Sequence, residues 1–340
     1  MKYINKNLLI EKVKVQNIVE KFGTPTYCYS YGQLKKNINN FKKNFNSFDP
    51  LVCFAIKSNT NVSLIREIRK LGLGADVVSI GELMMALKAG IEPKKIVFSG
   101  VGKTSNEIGY AIDKKILLIN AESKSEISEI ERVAKSKKKI VNIGIRLNPN
   151  TDAKTLEQIS TGKKENKFGV DEKIFFELVN YSKLSKNINL KCLSVHIGSQ
   201  IQDHKPYEKM LRVVDRIIKK SNHKFDFIDL GGGMGISYEK KDKKLNYQKY
   251  NTAIKKFLKS HKSKIIFEPG RSIVGNIGFL ISKVIYIKEN DKKDFIILDA
   301  AMNDLMRPAL YGAYHRTLPV IKTNQTSEKI YEFVGPICES

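Results

Sequence analysis

The chain has 340 residues, enough for one large domain or two ordinary ones, and its 41% hydrophobic and 28% charged content belongs to a protein with a real core. Its formal net charge of +25 invites a nucleic-acid reading, but the 60 Lys and Arg are scattered as short runs along helix-like segments, with no zinc-finger spacing, RNP-like aromatic motif or basic arm. Attraction to polyanions at low salt is expected; a specific nucleic-acid partner is not.

In chain order, Met1-Lys2-Tyr3-Ile4-Asn5-Lys6 lacks the apolar region of a signal peptide, and no later stretch nears the roughly 20 apolar residues that span a bilayer. Thr24–Tyr29 reads as a strand. Eight short apolar runs then follow: Val52–Ile56, Ala75–Val78, Ile96–Phe98, Ile116–Ile119, Val141–Leu147, Leu190–Ile197, Phe225–Leu230 and Ile265–Phe267. Helix-like segments lie between them at Ser63–Lys70, Ile80–Ala89, Glu122–Ala134, Glu172–Leu184, Tyr207–Lys220 and Tyr247–Ser260. Strands alternating with helices mean a parallel sheet, and eight such units over about 220 residues have the dimensions of a (β/α)8 barrel. An open doubly wound sheet is the alternative. After Arg271 the texture changes: Ser272–Lys288, Asp294–Ala300 and Tyr331–Cys338 read as strands without intervening helix. The expected fold is therefore α/β, a TIM-like barrel over residues 31–271 with a second, mainly β domain from residues 1–30 and 272–340. An apolar strand stops at the last residues, so the β domain is expected to be incomplete. Cys28, Cys53, Cys192 and Cys338 form no CxxC, which argues against structural zinc and disulfides and for a reducing, cytoplasmic location.

The unusual residues fall at the C-terminal ends of the expected strands, where barrels build active sites. Lys57 follows the first run, where an apolar stretch turns polar. A lysine there can lose its proton more readily than a solvated one and attack a carbonyl, although an ordinary lysine is a surface charge. Asp76 and Ser79 end the second run, Arg146 and Asn148 the fifth, and His196 the sixth. A lone histidine there is either a structural group, a ring-stacking partner or an acid/base. Gly231-Gly232-Gly233 after the seventh run is either a tight turn or a place where backbone N–H groups point at phosphate. Glu268, before Pro269-Gly270-Arg271, either holds the proton of a pyridinium nitrogen or pairs with Arg271. Two decoys fail: Ile236 breaks the dinucleotide glycine pattern, and Val97 stands where a P-loop before Gly102-Lys103-Thr104 needs glycine. An amine, a phosphate cradle and a carboxylate at one barrel mouth together point to pyridoxal phosphate.

These stretches, with Phe54–Asn59, Asp76–Leu83, Phe98–Thr104, Arg146–Pro149, Ile159–Gly162, Lys167–Gly169, His196–Gln200, Asp229–Gly233, Glu268–Arg271, Met302–Pro308, Leu310-Tyr311 and Gly335–Ser340, resemble the fold type III, alanine-racemase-like pyridoxal-phosphate decarboxylases. Within them the chain resembles the diaminopimelate decarboxylase family, in order and over nearly its whole length. The resemblance implies decarboxylation of meso-2,6-diaminopimelate to L-lysine, the last step of bacterial lysine biosynthesis, with pyridoxal 5′-phosphate as cofactor. It implies that Lys57 carries the cofactor covalently, Glu268 pairs with the pyridine nitrogen, His196 stacks on the ring with Asp76 in support, and Arg146 lies near the ring hydroxyl. Ser199, Gly231, Gly232, Gly233 and Gly270 would hold phosphate. Arg271, Arg307, Tyr311 and Glu339 would read the distal end of the substrate, where two arginines and a tyrosine suit a carboxylate and Glu339 suits an ammonium. Cys338 would donate a proton from the partner subunit of a head-to-tail homodimer. The resemblance also implies further strands beyond Cys338. Ornithine, arginine or carboxynorspermidine decarboxylation on the same scaffold, or an inactive cofactor-binding regulator, are the competing expectations.

Overall fold

The computed structural model describes residues 1–152, 162, 167–239, 242–324 and 329–338. Most of the Ile159–Gly162 stretch, together with Glu339 and Ser340, lies outside the described residues. The chain divides into two units: Met1–Leu34 with Tyr238–Asp242 and Asn276–Ser340, and Lys35–Ser237 with Lys243–Gly275.

The larger unit is a closed barrel of strands Leu51–Ala55, Gly74–Val77, Ile96–Phe98, Leu118–Ala121, Val141–Arg146, Ile188–Ser194, Phe227–Asp229 and Lys264–Phe267. Each pairs in parallel with the next, and the eighth closes on the first through Ile266 opposite Leu51 and Phe267 opposite Val52. All eight runs expected as strands are strands, and closure excludes the open sheet. Two local expectations change. Ser105–Asp113 is a helix that the apolar pattern does not reveal, begun by a reciprocal cap between Thr104 and Glu107. The helix expected from Glu122 starts at Lys124, because the Ser123 hydroxyl accepts the Glu126 N–H at 3.1 Å; Glu122 is thereby left at the strand end.

Strand periodicity explains where the polar residues sit. Residues two apart on a strand face the same side. Cys53, Val97, Leu118, Cys192 and Ile266 form one buried cluster. Two residues further on come Ala55, Ser99, Asn120, Ser194 and Glu268, and in register with them on adjacent strands stand Asp76, beside Ala55, and Arg146 and Asp229, on either side of Ser194. The interior thus changes from an apolar floor to a polar upper layer within one step of the pleat. Asp76, Asn120 and Asp229 are fully buried in that layer. Gly144 makes room for it: a Cβ there would lie 2.0 Å from Asn120 Oδ1 and 3.1 Å from Cys192 Cβ. Outside the barrel, Phe45, Phe267, Tyr250 and Tyr207 are fully buried together, with Tyr207 stacked on Tyr250 at 4.3 Å.

The smaller unit contains a three-stranded antiparallel sheet (Lys2–Ile4, Asn7–Ile10, Val13–Lys14), a pair formed by Thr26–Tyr29 and Gly278–Ile281, and a sheet of Val284–Lys288, Asp294–Leu298 and Tyr331–Val334. Its apolar centre is Leu8, Ile10, Val15 and Ile281. The expectation of strands alone after Arg271 is corrected: Arg271–Val274 turns as a short helix, with Gly270 C=O accepting from Ile273 and Val274, and Arg307–Tyr311 forms another. No described helix is long and apolar enough to cross a membrane.

Candidate active site

The first barrel strand ends at Ala55 and passes into a single 3-10 turn, Ile56–Ser58, which presents Lys57 at the C-terminal mouth. Lys57 Nζ donates to Asp76 Oδ2 at 2.8 Å. Asp76 is sealed, whereas Lys57, although surrounded by protein at the barrel end, keeps 52% of its side-chain surface open. Burial alone favours the neutral amine and is the largest single influence on Lys57. The negative charges of Asp76 and Glu268 together outweigh it, and the ammonium is held above its ordinary pKa. The expectation that this lysine sheds its proton easily is therefore reversed in the free chain: the nearby carboxylates win over desolvation. The second Asp76 oxygen, Oδ1, is buried without a hydrogen-bond partner among the described residues.

Glu268, just past the eighth strand, is buried and receives a hydrogen bond from Ser99 Oγ at 3.3 Å. Burial, then the charges of Asp229 and Asp76, push its carboxyl well above the carboxylate range. Of the two carboxyls it holds a proton the more tightly, and its hydrogen bond runs to Asp229. Among the described residues the Glu268 carboxyl meets Ser99 and Asp229.

Arg146, at the end of the fifth strand, pairs with Glu122 at 3.1 Å and lies 4.8 Å over the Phe168 ring. Glu122 also accepts the backbone N–H groups of Gly100 at 3.1 Å and Gly169 at 3.0 Å. Behind it, Lys103 is buried with a side chain 1% exposed and donates to Gly100 C=O, Asn120 C=O and Glu126 at 2.5–2.8 Å. This lysine, in a stretch that fails as a phosphate motif, staples the ends of the third and fourth strands. An expected strand terminus followed by Lys and a helix cap is the sequence signal for it.

His196 follows the sixth strand. Burial, then the positive charges of Arg146 and Lys57, push its pKa well below the usual value, so the ring is neutral. Its Nδ1 accepts the Gly232 N–H at 3.2 Å, which places the ring proton on Nε2. The Gly231 N–H is likewise taken, by Asp229 Oδ1 at 2.9 Å. The expectation that the whole run aims its N–H groups at phosphate thus gives way at these two positions. Close approach is what the run supplies instead. A Cβ on Gly232 would lie 2.1 Å from Glu268 C=O, one on Gly233 2.1 Å from Gly198 C=O at φ +84°, and one on Gly231 2.6 Å from His196 Nδ1. Tyr207 Oη supports the run from the helix side by donating to Gly232 C=O at 3.1 Å. Gly232→Ala is expected to destabilise the barrel by about 1–3 kcal/mol through overpacking and to weaken cofactor binding; urea unfolding and cofactor titration check both.

Asp76, Arg146, His196, Ser199, the glycine run, Glu268, Gly270, Arg271 and Lys57 all belong to the barrel unit. Arg307, Tyr311 and Cys338 belong to the other unit, and Glu339 is outside the described residues. There Arg307 donates to His315 Nε2 at 3.2 Å and lies 4.8 Å over the Tyr238 ring. Burial, then Arg307, keeps His315 below its usual pKa, which makes it a neutral acceptor. Tyr311 and Cys338 are exposed in their unit. Tyr238 and His315 carry no recognisable spacing in the sequence.

A lysine gripped by a sealed aspartate, an unsatisfied carboxylate oxygen beside it, a buried carboxyl with a raised pKa and a turn that tolerates no Cβ fit the amine link, ring nitrogen and phosphate of pyridoxal phosphate. Fold and site together define a barrel-type pyridoxal-phosphate enzyme. The family described as "Pyridoxal-dependent decarboxylase, pyridoxal binding domain" matches residues 31–275. The chain is 41% identical to the diaminopimelate decarboxylase of Aquifex aeolicus, over 100% of this chain and 81% of that protein. It is similar to the crystal structure of diaminopimelate decarboxylase from Helicobacter pylori complexed with L-lysine, with TM-score 0.89 and 42% identity over 96% of this chain and 82% of the other. It is also similar to the M. jannaschii diaminopimelate decarboxylase in co-complex with L-lysine, with TM-score 0.91 and 35% identity over 99% and 81%. The chain belongs to the diaminopimelate decarboxylase family.

Proposed function

We propose that this chain converts meso-2,6-diaminopimelate to L-lysine and carbon dioxide with pyridoxal 5′-phosphate. The observation that carries the reading is the Lys57–Asp76 pair at 2.8 Å, set at the same barrel mouth as Glu268, Arg146, His196 and the glycine run. Support for the substrate comes from family membership and from the L-lysine held by the related H. pylori and M. jannaschii proteins.

Bound at this mouth, pyridoxal phosphate supplies an electron sink for the pair released as carbon dioxide leaves. The chain supplies orientation and proton control. Lys57 Nζ would be the covalent anchor, aimed into the mouth by Asp76 Oδ2 at 2.8 Å. Glu268 serves the ring nitrogen, Arg146 the ring hydroxyl, and neutral His196 lies against the ring without adding charge. Ser199, Gly233 and Gly270 hold the phosphate, while Gly231 and Gly232 give the close backbone approach that the turn needs. Arg271, Arg307, Tyr311 and Glu339 read the distal amino-acid head, and Cys338 returns a proton, delivered from a second subunit of a cytoplasmic homodimer. Residues 31–271 form the cofactor-binding domain in this reading.

Turnover of meso-diaminopimelate, ornithine, arginine and carboxynorspermidine by the cofactor-loaded protein tests the assignment. A preference on the order of 10⁴-fold for meso-diaminopimelate is expected, because a diamine leaves Arg307 without its carboxylate. Arg307→Ala is expected to erase most of that preference. Comparable turnover of ornithine would make the chain a sister decarboxylase, and cofactor binding without turnover of any of the four would make it a regulator.

A further inference from the structure

Asp229 has no part in the reaction as described, yet it is fully buried in the polar layer of the barrel. It is held there by three donors: Gly231 N–H at 2.9 Å to Oδ1, and Asn120 Nδ2 and Ser194 Oγ, each at 3.1 Å, to Oδ2. Asn120 Nδ2 also reaches Ser99 Oγ at 3.3 Å, and Ser99 Oγ reaches Glu268 Oε1 at 3.3 Å. Glu268 and Asp229 are themselves hydrogen-bonded, so Asp229, Asn120, Ser99 and Glu268 close a ring of polar side chains.

Two buried carboxyl groups in direct contact cannot both ionise cheaply, and a carboxyl–carboxylate hydrogen bond needs one proton between them. Donor count decides where it resides. Asp229 accepts from three donors and can accept a fourth, whereas Glu268 has Ser99. We propose that Asp229 is a positioning residue: it shares one buried proton with Glu268 and thereby fixes the orientation of the Glu268 carboxyl at the barrel mouth. Burial raises both carboxyls; beyond that, the contact raises Glu268 and lowers Asp229, which agrees with the proton lying on Glu268. The other titratable groups facing the pair are Asp76 and Lys57 from the first two strand ends, Cys53 and Cys192 from the barrel floor, and Tyr250 from the surrounding helix. Asp76 reinforces proton retention and Lys57 opposes it.

The shared proton is a property of the chain itself. That it serves the ring nitrogen rests on the function proposed above, in which Glu268 would hold the ring nitrogen of bound pyridoxal phosphate.

The test uses the full chain without cofactor, so that failure of the decarboxylase reading does not touch it. Infrared difference spectra across pH are expected to show a buried protonated carboxyl in the native protein at pH 7. Glu268→Gln is expected to remove that band. Asp229→Asn is expected to lower the pH at which the band disappears by about two units or more, as relief of a like charge requires. A general loosening of the barrel would not move a titration midpoint in that way. Absence of the band in the native protein, its persistence in Glu268→Gln, or an unchanged midpoint in Asp229→Asn would each overturn the proposal. If Asp229→Asn does not fold, absence of the band in the native protein or its persistence in Glu268→Gln still overturns the proposal. In the loaded protein, Asp229→Asn is further expected to weaken pyridoxal-phosphate affinity about tenfold, the size of a one-unit change in proton affinity.

Discussion

Lys57→Ala is expected to lower turnover by on the order of 10⁴-fold or more, because the substitution removes the covalent anchor and not merely a contact. Borohydride reduction of the loaded native protein should leave a pyridoxyl label on the peptide around residue 57, and the variant should carry none. The 2.8 Å Lys57–Asp76 pair gives a second signature. Asp76 is fully buried, and without Lys57 its carboxylate loses its ammonium partner while Oδ1 is already unsatisfied. Loss of label with an intact circular-dichroism spectrum confirms the chemical role. Full lysine production by the variant would remove the basis of the functional assignment.

Lys103→Met is expected to cost about 3–5 kcal/mol of stability, the usual consequence of removing one partner from a buried ion pair. Lys103 has a side chain 1% exposed and Glu126 one 9% exposed, and the lysine also satisfies Gly100 C=O and Asn120 C=O. Adding Glu126→Gln to Lys103→Met should recover a large part of the loss, because no uncompensated charge then remains. Urea unfolding of both variants measures this. A single-variant cost below about 1 kcal/mol would show that the staple carries little. The damage should also reach the active site: Glu126 accepts the Glu122 N–H at 2.7 Å, and Glu122 holds Arg146.

Much of the barrel is legible in the sequence because its signals are local. A strand buried on both faces leaves an unbroken apolar run, and a helix leaves a period, so all eight strands follow from composition and alternation. Their ends are less well defined. Glu122 reads as helical because a carboxylate before Ser-x-x-Glu looks so until the cap position is known. Ser105–Asp113 escapes because Gly109 and polar residues dilute its apolar stripe. The polar residues of the site stand out where an apolar run stops, which singles out Lys57, Arg146, His196 and Glu268. Asp229 escapes for the complementary reason: it lies one residue inside an apolar run, where a charge is itself the warning.

The sequence by itself determined the parallel barrel, the position of Lys57 at a strand end and the resemblance that fixes the family. The tertiary structure alone decided the protonation of the site. Residues such as Lys57 and Asp76, or Asp229 and Glu268, meet only when the barrel closes, and Coulomb and hydrogen-bond energies depend on that separation in space and not on separation along the chain. A lysine expected to give up its proton keeps it, and Glu268 meets a second buried carboxyl, Asp229, that its place in the sequence does not announce.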